Sequence, residues 1–300
     1  MSDPHSHPAI PQSRITKALA LTVTALVVII TACTSSAAEA DQTATRTRNH
    51  PTQLRVMTFN IRHGEASDGT FDLAATAAAI RAQHPDVVAL QEVDGTWSDR
   101  SNWSDEPKEL GRMLNMHASF APIYDLPPAS MGADDQRYGV AILSRHPIIE
   151  STNHQITRLS TQVQNAVAVP APGFGEIAIR VGHREVHIYN THLDYRADPS
   201  VRATQVAETV QYLKYDPAPT ILTGDFNANP DAPELQPLLD QQRDIWGDLG
   251  EKHPATYPAD APTEAIDYIA VSKQWKTKRV SVPDTQVSDH RPVVADLILS

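Results

Sequence analysis

An apolar strand that ends in a dense group of polar residues most constrains what this chain can fold into. Residues 221–230 read ILTGDFNANP, so the apolar part stops at Gly224 and an acid and two amides follow. If the chain stays extended there, Asp225 and Asn227 point to the same side. Together they offer acceptors to a metal ion or a proton and donors to a phosphoryl oxygen. The stretch therefore predicts a polar site at the end of a buried strand.

Other apolar stretches end in a similar way, at Asn60, Glu92, His192 and the pair Asp289–His290. Taken singly, a terminal Asn is usually turn chemistry, and an isolated Glu is usually a rim residue facing water. An ionised carboxylate that directly follows a buried strand, however, needs a cation or a metal as its partner. The functional interpretation requires that these strand ends meet in one place.

His192 and His290 matter as a pair, because a neutral imidazole accepts a proton near its reference pKa of ~6.5. It does so best when a carboxylate holds its far nitrogen. Asp289 is adjacent to His290, but neighbours on a strand point to opposite faces. We therefore expect Asp267, on the preceding strand, to orient His290, and Asp289 to reach toward a metal.

The acidic composition weighs against non-specific binding to nucleic acid. The 300 residues carry a formal net charge of -11, whereas affinity for a duplex backbone comes from Lys and Arg. A bound metal can supply local positive charge, so a nuclease is disfavoured without being excluded. The length suffices for one large domain after a leader is removed.

The N-terminal region has the layout of a signal peptide. Arg14 and Lys17 precede an apolar run over 18–32, and small residues follow. The run ends at Cys33, the only cysteine, so no internal disulfide can form. Residues 30–33, ITAC, resemble a bacterial lipoprotein signal, in which the cysteine is lipidated and becomes the new N-terminus.

Two alternatives to lipidation stay open. Residues 38–40, AEA, offer a rival cleavage site that gives a freely secreted protein. An uncleaved anchor is the other, although roughly 15–16 apolar residues are short for a span. We favour a lipoprotein held at the outer face of the cell membrane through Cys33, and then a secreted protein. The domain plan is a signal peptide over 1–32, a flexible tether over 33–50 and one domain over 51–300.

Periodicity predicts many strands and few helices. Strands are predicted at 54–60, 87–90, 138–144, 163–169, 175–181, 185–190, around 221, 265–271 and 292–299. Helices are predicted at 71–84, 109–116, 200–215 and 233–242, and loops at 95–106 and 118–136. Because helices come singly between groups of strands, we expect two packed antiparallel or mixed sheets with helices outside them.

Six short motifs occur in order along residues 53–299. They are TFNI at 58–61, LQEV at 90–93, YGVAILS at 138–144, NTHL at 190–193, GDFN at 224–227 and SDH at 288–290. In this order they resemble the signatures of the endonuclease/exonuclease/phosphatase superfamily. That superfamily includes pancreatic-type deoxyribonuclease, apurinic endonucleases, neutral sphingomyelinases and inositol-polyphosphate 5-phosphatases.

The resemblance implies a fold and a metal. The fold is α+β, a four-layered α/β/β/α sandwich of two mixed, mainly antiparallel sheets with outer helices. Its site lies where the loops of the two sheets converge. Family members use Mg²⁺ or Mn²⁺, and by similarity Glu92 is the principal metal ligand, assisted by Asn60 and Asp289. Hard oxygen ligands of this kind suit Mg²⁺.

The resemblance also implies catalytic and substrate-binding roles. His290 is the general base, and Asp267 orients it. Asp225 positions the nucleophilic water or assists proton transfer, and Asn227 stabilises the charge of the transition state. His192 binds the scissile phosphate. The substrate-binding residues implied are Tyr138, Asn227 and His192.

The chain departs from the family pattern in three places. Relatives often carry Arg immediately before the Ile-Asp-Tyr motif, where this chain has Ala265, and small secreted relatives carry Arg near 165, where it reads QVQN over 162–165. Both changes remove a possible phosphate contact. Apurinic endonucleases carry an acid two residues after the first Asn, whereas this chain has Arg62. The last change argues against an apurinic endonuclease.

The leading interpretation is a secreted or lipid-anchored, metal-dependent phosphodiesterase or phosphomonoesterase that acts as a monomer. Its substrate is a phospholipid headgroup, an inositol phosphate or nucleic acid. Trp97 and Trp103 lie in one predicted loop, where they either meet such a substrate or pack within the loop. The alternatives are an extracellular nuclease of the same fold and a non-catalytic lipoprotein that binds phosphate or lipid.

Overall fold

The computed structural model describes residues 52–300, which lie within one compact unit. The predicted signal peptide, the tether and Cys33 lie outside the described residues. Within 52–300, every helix is too short or too polar to cross a membrane.

Within residues 52–300, twelve strands form two six-stranded mixed sheets. The strands are β1 (Thr52–Asn60), β2 (Val87–Gly95), β3 (His117–Leu126), β4 (Gln136–Ser144), β5 (Ile148–Arg158), β6 (Val169–Val181), β7 (Arg184–His192), β8 (Thr220–Asp225), β9 (Arg243–Asp244), β10 (Asp267–Val271), β11 (Trp275–Ser281) and β12 (Val293–Leu299). The first sheet has the order β11-β12-β1-β2-β4-β3, and the second has the order β5-β6-β7-β8-β10-β9.

Residues 52–300 contain five helices. They are α1 (Leu73–Ala82), α2 (Glu106–Leu114), α3 (Ser200–Tyr215), α4 (Gln236–Gln241) and α5 (Ile245–Leu249), with single 3₁₀ turns at Arg62–Gly64, Asp99–Ser101 and Pro233–Leu235. Helices α1 to α4 cover the outer faces of the sheets, and α5 adds Ile245 and Trp246 to the core between them. Asp72 caps α1 by accepting a hydrogen bond from the Ala75 N–H, which satisfies one of the free donors at that helix start. The helices predicted at 71–84 and 200–215 are confirmed, and α2 begins three residues before the predicted start.

In the part of the chain that the structure describes, three apolar clusters separate four layers. One lies between the sheets and includes Val56 and Ile188. A second packs α1 and α2 on the outer face of the first sheet and includes Met57. A third packs α3 and α4 on the second sheet and includes Tyr189. Because successive strand residues face opposite sides, Val56 and Met57 enter different clusters, as do Ile188 and Tyr189. The predicted α+β sandwich is confirmed.

A buried hydrogen-bonded network links the two sheets. The Asn190 amide on β7 donates to the Leu90 carbonyl at 2.8 Å and to the Ala141 carbonyl at 3.0 Å, both in the first sheet. Its Oδ1 accepts from Gln91 Nε2 at 2.6 Å, and the same nitrogen lies 3.0 Å from Thr58 Oγ1. All these side chains are buried, so the bonds fix the register of one sheet on the other.

Each sheet contains a central parallel pair. β1 pairs with β2 through α1, and β7 pairs with β8 through α3, so each is a βαβ unit. The carboxyl ends of parallel strands lie at one edge of their sheet. Because β1 lies against β8 and β2 against β7 across the core, the four carboxyl ends arrive on the same side of the molecule.

Most of the secondary-structure predictions that were wrong concern edge strands. The predicted loop at 118–136 contains β3, an edge strand that tolerates Pro122 because its other side pairs with no strand of residues 52–300. The strand predicted at 163–169 is mostly irregular chain, and β5 and β11, which were not predicted, are edge strands with many polar residues.

Candidate active site

Three of the predicted strand ends meet at the side chain of Asn60, the last residue of β1, although β2 continues past Glu92 to Gly95. Its Nδ2 donates to Glu92 Oε1 at 3.1 Å and to Asp225 Oδ2 at 3.0 Å, while its Oδ1 accepts the Arg62 N–H at 3.1 Å. Asn60 and Asp225 are buried, and Glu92 is half-buried. One amide therefore bridges two carboxylates that come from different sheets.

Glu92 reaches this position through a bulge in β2. The pairing of β2 with β4 passes from Leu90–Ala141 to Val93–Gly139, so two residues of β2 oppose one residue of β4. Glu92 has a φ of 55°, which is uncommon for a residue with a side chain. A bulge of this kind re-aims a side chain, and such strain persists only where the surroundings fix it.

His290 lies between the carboxylates of two paired strands. Its Nδ1 is 2.9 Å from Asp267 Oδ2, and its Nε2 is 3.7 Å from Asp225 Oδ2. Asp225 and Asp267 are opposite one another in the β8–β10 register. Thr256 Oγ1 donates to the same Asp267 oxygen at 2.6 Å, and the Tyr257 ring lies 4.8 Å from the imidazole, centroid to centroid. The structure thus brings Asp267 and His290 into direct contact, and the orienting role of Asp267 stays a prediction.

The charge of the imidazole follows from its surroundings. Burial lowers the pKa of His290, but attraction to Asp267, the hydrogen bond with Asp267 and the charges of Asp225 and Asp289 outweigh burial and raise that pKa to about 10. The protonated ring is therefore the favoured form at neutral pH when only these carboxylates surround it.

Asp225 and Asn227 do not point the same way on an extended chain, contrary to that expectation. β8 ends at Asp225, and Asn227 has a φ of 51°. The Asn227 N–H donates to Asp225 Oδ1 at 2.9 Å, and its Nδ2 donates to the Leu193 carbonyl at 3.0 Å. The bond to Asp225 still keeps Asn227 beside the site. His192 Nε2 lies 3.5 Å from the other Asp225 oxygen, Oδ2.

Asp289 and His290 lie in a bend before β12 and not on a strand. Asp289 Oδ2 is 3.7 Å from Arg62 Nε, and Arg62 also pairs with Glu65 at 3.0 Å. Asp289 therefore lies on the rim of the site, where the positively charged side chain of Arg62, from the turn after β1, faces it.

An aromatic pocket adjoins the cluster of candidate site residues. A cavity of about 110 Å³ beside His192 is walled by Tyr124, Tyr138 and Arg158. The rings of Tyr124 and Tyr138 stack with centroids 6.2 Å apart, and Trp97 lies 5.8 Å from Tyr138. The predicted substrate residues Tyr138 and His192 thus line one pocket.

Arg158 is a pocket residue that the sequence did not single out. It is buried and donates to three carbonyls, of Pro172, Gly173 and His192. Burial lowers its pKa to about 10. This chain lacks the arginine that small secreted relatives carry near 165, but a different arginine, Arg158, lies in the wall of this pocket.

Thr256 and Tyr257 were also missed. They lie in an irregular segment that precedes β10, and polar loop residues carry no periodic signal. Only the folding of this segment over Asp267 and His290 brings them to the site.

The donor set at the site suits a hard divalent cation. Glu92, Asp225, Asp289 and Asn60 offer carboxylate and amide oxygens, the ligand type that Mg²⁺ and Mn²⁺ prefer. Among residues 52–300, neither Glu92 nor Asp225 is ion-paired with a Lys or Arg. Asp267 Oδ1 is buried and has no hydrogen-bond partner in the same range. A bound cation fits this excess of negative charge.

Comparisons with known proteins agree with the geometry. The model of the Endonuclease/Exonuclease/phosphatase family matches residues 57–290. A putative neutral sphingomyelinase of Drosophila melanogaster is 26% identical over 200 residues, which cover 62% of this chain and 42% of that protein. The chain thus spans less than half the length of this relative.

Solved structures show the same fold. An endonuclease/exonuclease/phosphatase from Beutenbergia cavernae superposes with a TM-score of 0.66 at 25% identity, over 83% of this chain and 72% of that chain. The mannosyl-6-phosphatase Bt3783 of Bacteroides thetaiotaomicron superposes with a TM-score of 0.65 at 18% identity, over 82% of this chain and 100% of that chain. The family match covers more than half of the chain. The chain therefore belongs to the endonuclease/exonuclease/phosphatase family, whose members are hydrolases acting on phosphate esters.

Proposed function

We propose that the protein is a divalent-metal-dependent phosphoesterase in which His290 activates the attacking water. One observation carries this proposal: Asp267 holds His290 Nδ1 at 2.9 Å, which leaves Nε2 aimed at the cleft beside Asp225. An imidazole held at its far nitrogen by a carboxylate is the arrangement required of a general base.

Other side chains of the site would orient the water, stabilise the developing charge and hold the metal ion. Asp225 lies close enough to His290 and His192 to orient a water between them. Asn227 and His192 lie beside Asp225, and the second Asn227 Nδ2 proton and the His192 ring N–H would donate to a phosphoryl oxygen, where donors stabilise developing charge. Glu92, Asn60 and Asp289 would hold Mg²⁺ or Mn²⁺. When bound, such an ion supplies positive charge that stabilises phosphoryl oxygens and offsets the carboxylates that raise the pKa of His290.

The pocket supports a phosphodiester with a compact headgroup as substrate, as in a phospholipid. Tyr124 and Tyr138 form its apolar wall, and Arg158 contributes the nearby positive charge. The net charge of -11 disfavours a nucleic-acid backbone. The Drosophila relative is named as a putative neutral sphingomyelinase, which supports a phospholipid in particular.

We also propose that the protein works outside the cytoplasm, held at the outer face of the membrane through lipidated Cys33. The basic and apolar leader and the ITAC sequence at 30–33 support this placement. Mass spectrometry of the N-terminus of the native protein tests it. A diacylated peptide that begins at Cys33 is expected, and an unmodified peptide that begins at Asp41 rules lipidation out.

Hydrolysis of bis(p-nitrophenyl) phosphate by the purified protein tests the activity. We expect turnover with Mg²⁺ or Mn²⁺ and its loss with EDTA. H290A should lower kcat by ~10²–10⁴-fold, the usual contribution of a general base. E92A should remove most of the rate as well. H117A, which changes an exposed histidine on β3, is the matched control and should keep the wild-type rate.

A panel of substrates then separates the classes. Sphingomyelin, phosphatidylinositol, inositol phosphates, p-nitrophenyl phosphate and DNA are compared by kcat/KM, and a phospholipid is expected to be cleaved fastest. A higher kcat/KM for DNA than for any phospholipid would contradict the proposed substrate and would indicate a nuclease. Equal rates in wild type, H290A and E92A would refute the catalytic assignment, and binding without turnover would favour a non-catalytic lipoprotein.

A further inference from the structure

A second group of ligand-type side chains lies away from the cleft, on the outer face of the second sheet. Glu176 on β6, His187 on β7 and Asp216 after α3 place one donor atom each within 4.8 Å of one another. His187 lies five residues before His192 on the same strand, which separates the two groups by about 17 Å along β7. The group therefore forms a site distinct from the catalytic cluster.

We propose that Glu176, His187 and Asp216 bind a zinc ion. His187 Nδ1 lies 2.7 Å from Asp216 Oδ2 and 2.9 Å from Glu176 Oε1, so two carboxylates converge on a single ring nitrogen. A neutral imidazole carries at most one proton on that nitrogen. A cation at the same place binds the nitrogen and both carboxylates together.

In each of these three residues, the polar atom that would not bind the ion has a hydrogen-bond partner, as is usual for metal ligands. His187 Nε2 lies 3.4 Å from Glu185 Oε1, which favours the tautomer with its proton on Nε2 and leaves Nδ1 free to ligate. His154 Nε2 contacts the second Glu176 oxygen, Oε2, at 2.5 Å. The second Asp216 oxygen, Oδ1, accepts the Ala218 N–H at 2.8 Å. Each proposed ligand thus has its outward-facing atom occupied by a neighbour.

No Lys or Arg within residues 52–300 forms an ion pair with this group. Among residues 52–300, Glu176 and Asp216 form ion pairs with histidines alone, and Tyr189 adds a neutral hydroxyl that donates to Asp216 Oδ2 at 2.6 Å. The side chains of Glu176 and Asp216 are 15% and 3% exposed. Two largely buried carboxylates that lie next to each other and have no Lys or Arg partner within residues 52–300 favour binding of a divalent cation, because it neutralises both charges.

The donor chemistry and the surroundings select the ion. Imidazole is a borderline ligand that suits Zn²⁺, whereas Mg²⁺ prefers oxygen alone. One imidazole and two carboxylates give three protein ligands, which leaves a fourth position for water. A cavity of about 450 Å³, lined in part by Tyr212 and Tyr215, opens beside the group and gives solvent access to that position.

Zinc binding by the full-length protein is measured in an E92A background, which weakens the catalytic cation site. After dialysis against ZnCl₂ and gel filtration, we expect one more zinc per chain in E92A than in E92A/H187Q or E92A/D216N. H183Q is the matched control, because His183 is an exposed histidine on the same hairpin. It should leave zinc content unchanged.

Thermal unfolding and Co²⁺ absorption give further readouts. Zinc at about 100 times its Kd should raise the Tm of E92A by roughly 5–10 °C and should leave that of E92A/H187Q unchanged. Co²⁺ should give visible absorption bands in E92A that are lost with H187Q. Phosphoesterase activity of H187Q with Mg²⁺ should equal the wild type.

Equal zinc content and equal zinc-induced Tm shifts in E92A and both double variants would overturn the proposal. A second outcome is that zinc shifts the Tm of neither E92A nor E92A/H187Q, while the H187Q substitution itself lowers the Tm. The group is then a hydrogen-bonded charge network, and the proposal is again overturned. Circular dichroism identifies a variant that fails to fold, and D216N then stands in for H187Q.

Discussion

Asp267 Oδ2 lies 2.9 Å from His290 Nδ1, although the two residues are 23 positions apart in the chain. The contact is buried, and it turns the remaining ring nitrogen toward Asp225. The charge and the hydrogen bond of Asp267 are therefore tied directly to the protonation of His290.

D267N should lower kcat about 10²-fold or more, because the amide no longer holds the basic form of His290 in place. Asp267 raises the pKa of His290. Its neutralisation lowers that pKa, so the acid limb of the kcat/KM profile should move to lower pH. D240N, an exposed carboxylate change on α4, should leave the profile where it is. An acid limb that stays fixed in D267N would show that another group titrates.

G224A should prevent folding or reduce stability by more than about 3 kcal/mol, because a Cβ at Gly224 would lie 2.4 Å from the Thr191 carbonyl oxygen. That oxygen belongs to the paired strand and cannot move aside. Urea unfolding and soluble yield measure the effect. In G247A the added Cβ meets no atom within 4 Å, so this variant should be as stable as the wild type. Wild-type stability of G224A would mean that β7 and β8 do not approach this closely.

N190A should lower the free energy of unfolding by about 2–4 kcal/mol, since it leaves two buried carbonyls without their donor and creates a small cavity. Urea unfolding followed by circular dichroism measures the loss. Q155A is the control, because Gln155 is exposed on an edge strand. A loss in N190A no greater than that in Q155A would mean that the link between the sheets adds no stability.

D296N should flatten the acid dependence of stability. Arg55 donates to both Asp296 oxygens, at 2.6 and 3.0 Å, and this hydrogen bonding lowers the pKa of Asp296. A lowered carboxyl pKa adds stability above the unfolded value of ~3.9, and that stability is lost as pH falls through the folded value.

Wild type should therefore lose more stability than D296N between about pH 4 and pH 2, and the difference at pH 7 should be at most about 1 kcal/mol because the pair is partly exposed. Thermal unfolding across this pH range measures the effect. E150Q, an exposed change on β5, should keep the wild-type slope. Parallel slopes in wild type and D296N would exclude Asp296 as the group that titrates.

Central and edge strands differed in how well the sequence predicted them. The eight strands that have a neighbour on each side, β1, β2, β4, β6, β7, β8, β10 and β12, all lie within or overlap predicted strands. β3, β5, β9 and β11 lie at the edges, and none of them was predicted. Central strands are covered on both faces and carry a clear apolar pattern, whereas an edge strand with an exposed face does not.

The sequence by itself determined which polar residues follow the apolar runs, because an apolar run that leads into Asn60, Glu92, His192 or Asp225 leaves its pattern in consecutive residues. Only the tertiary structure decided how these groups face one another. The bulge that aims Glu92, the turn that redirects Asn227 and the loop that brings Thr256 to Asp267 all depend on contacts between distant segments. Such contacts form when the two sheets pack, and no local pattern in the chain encodes their geometry.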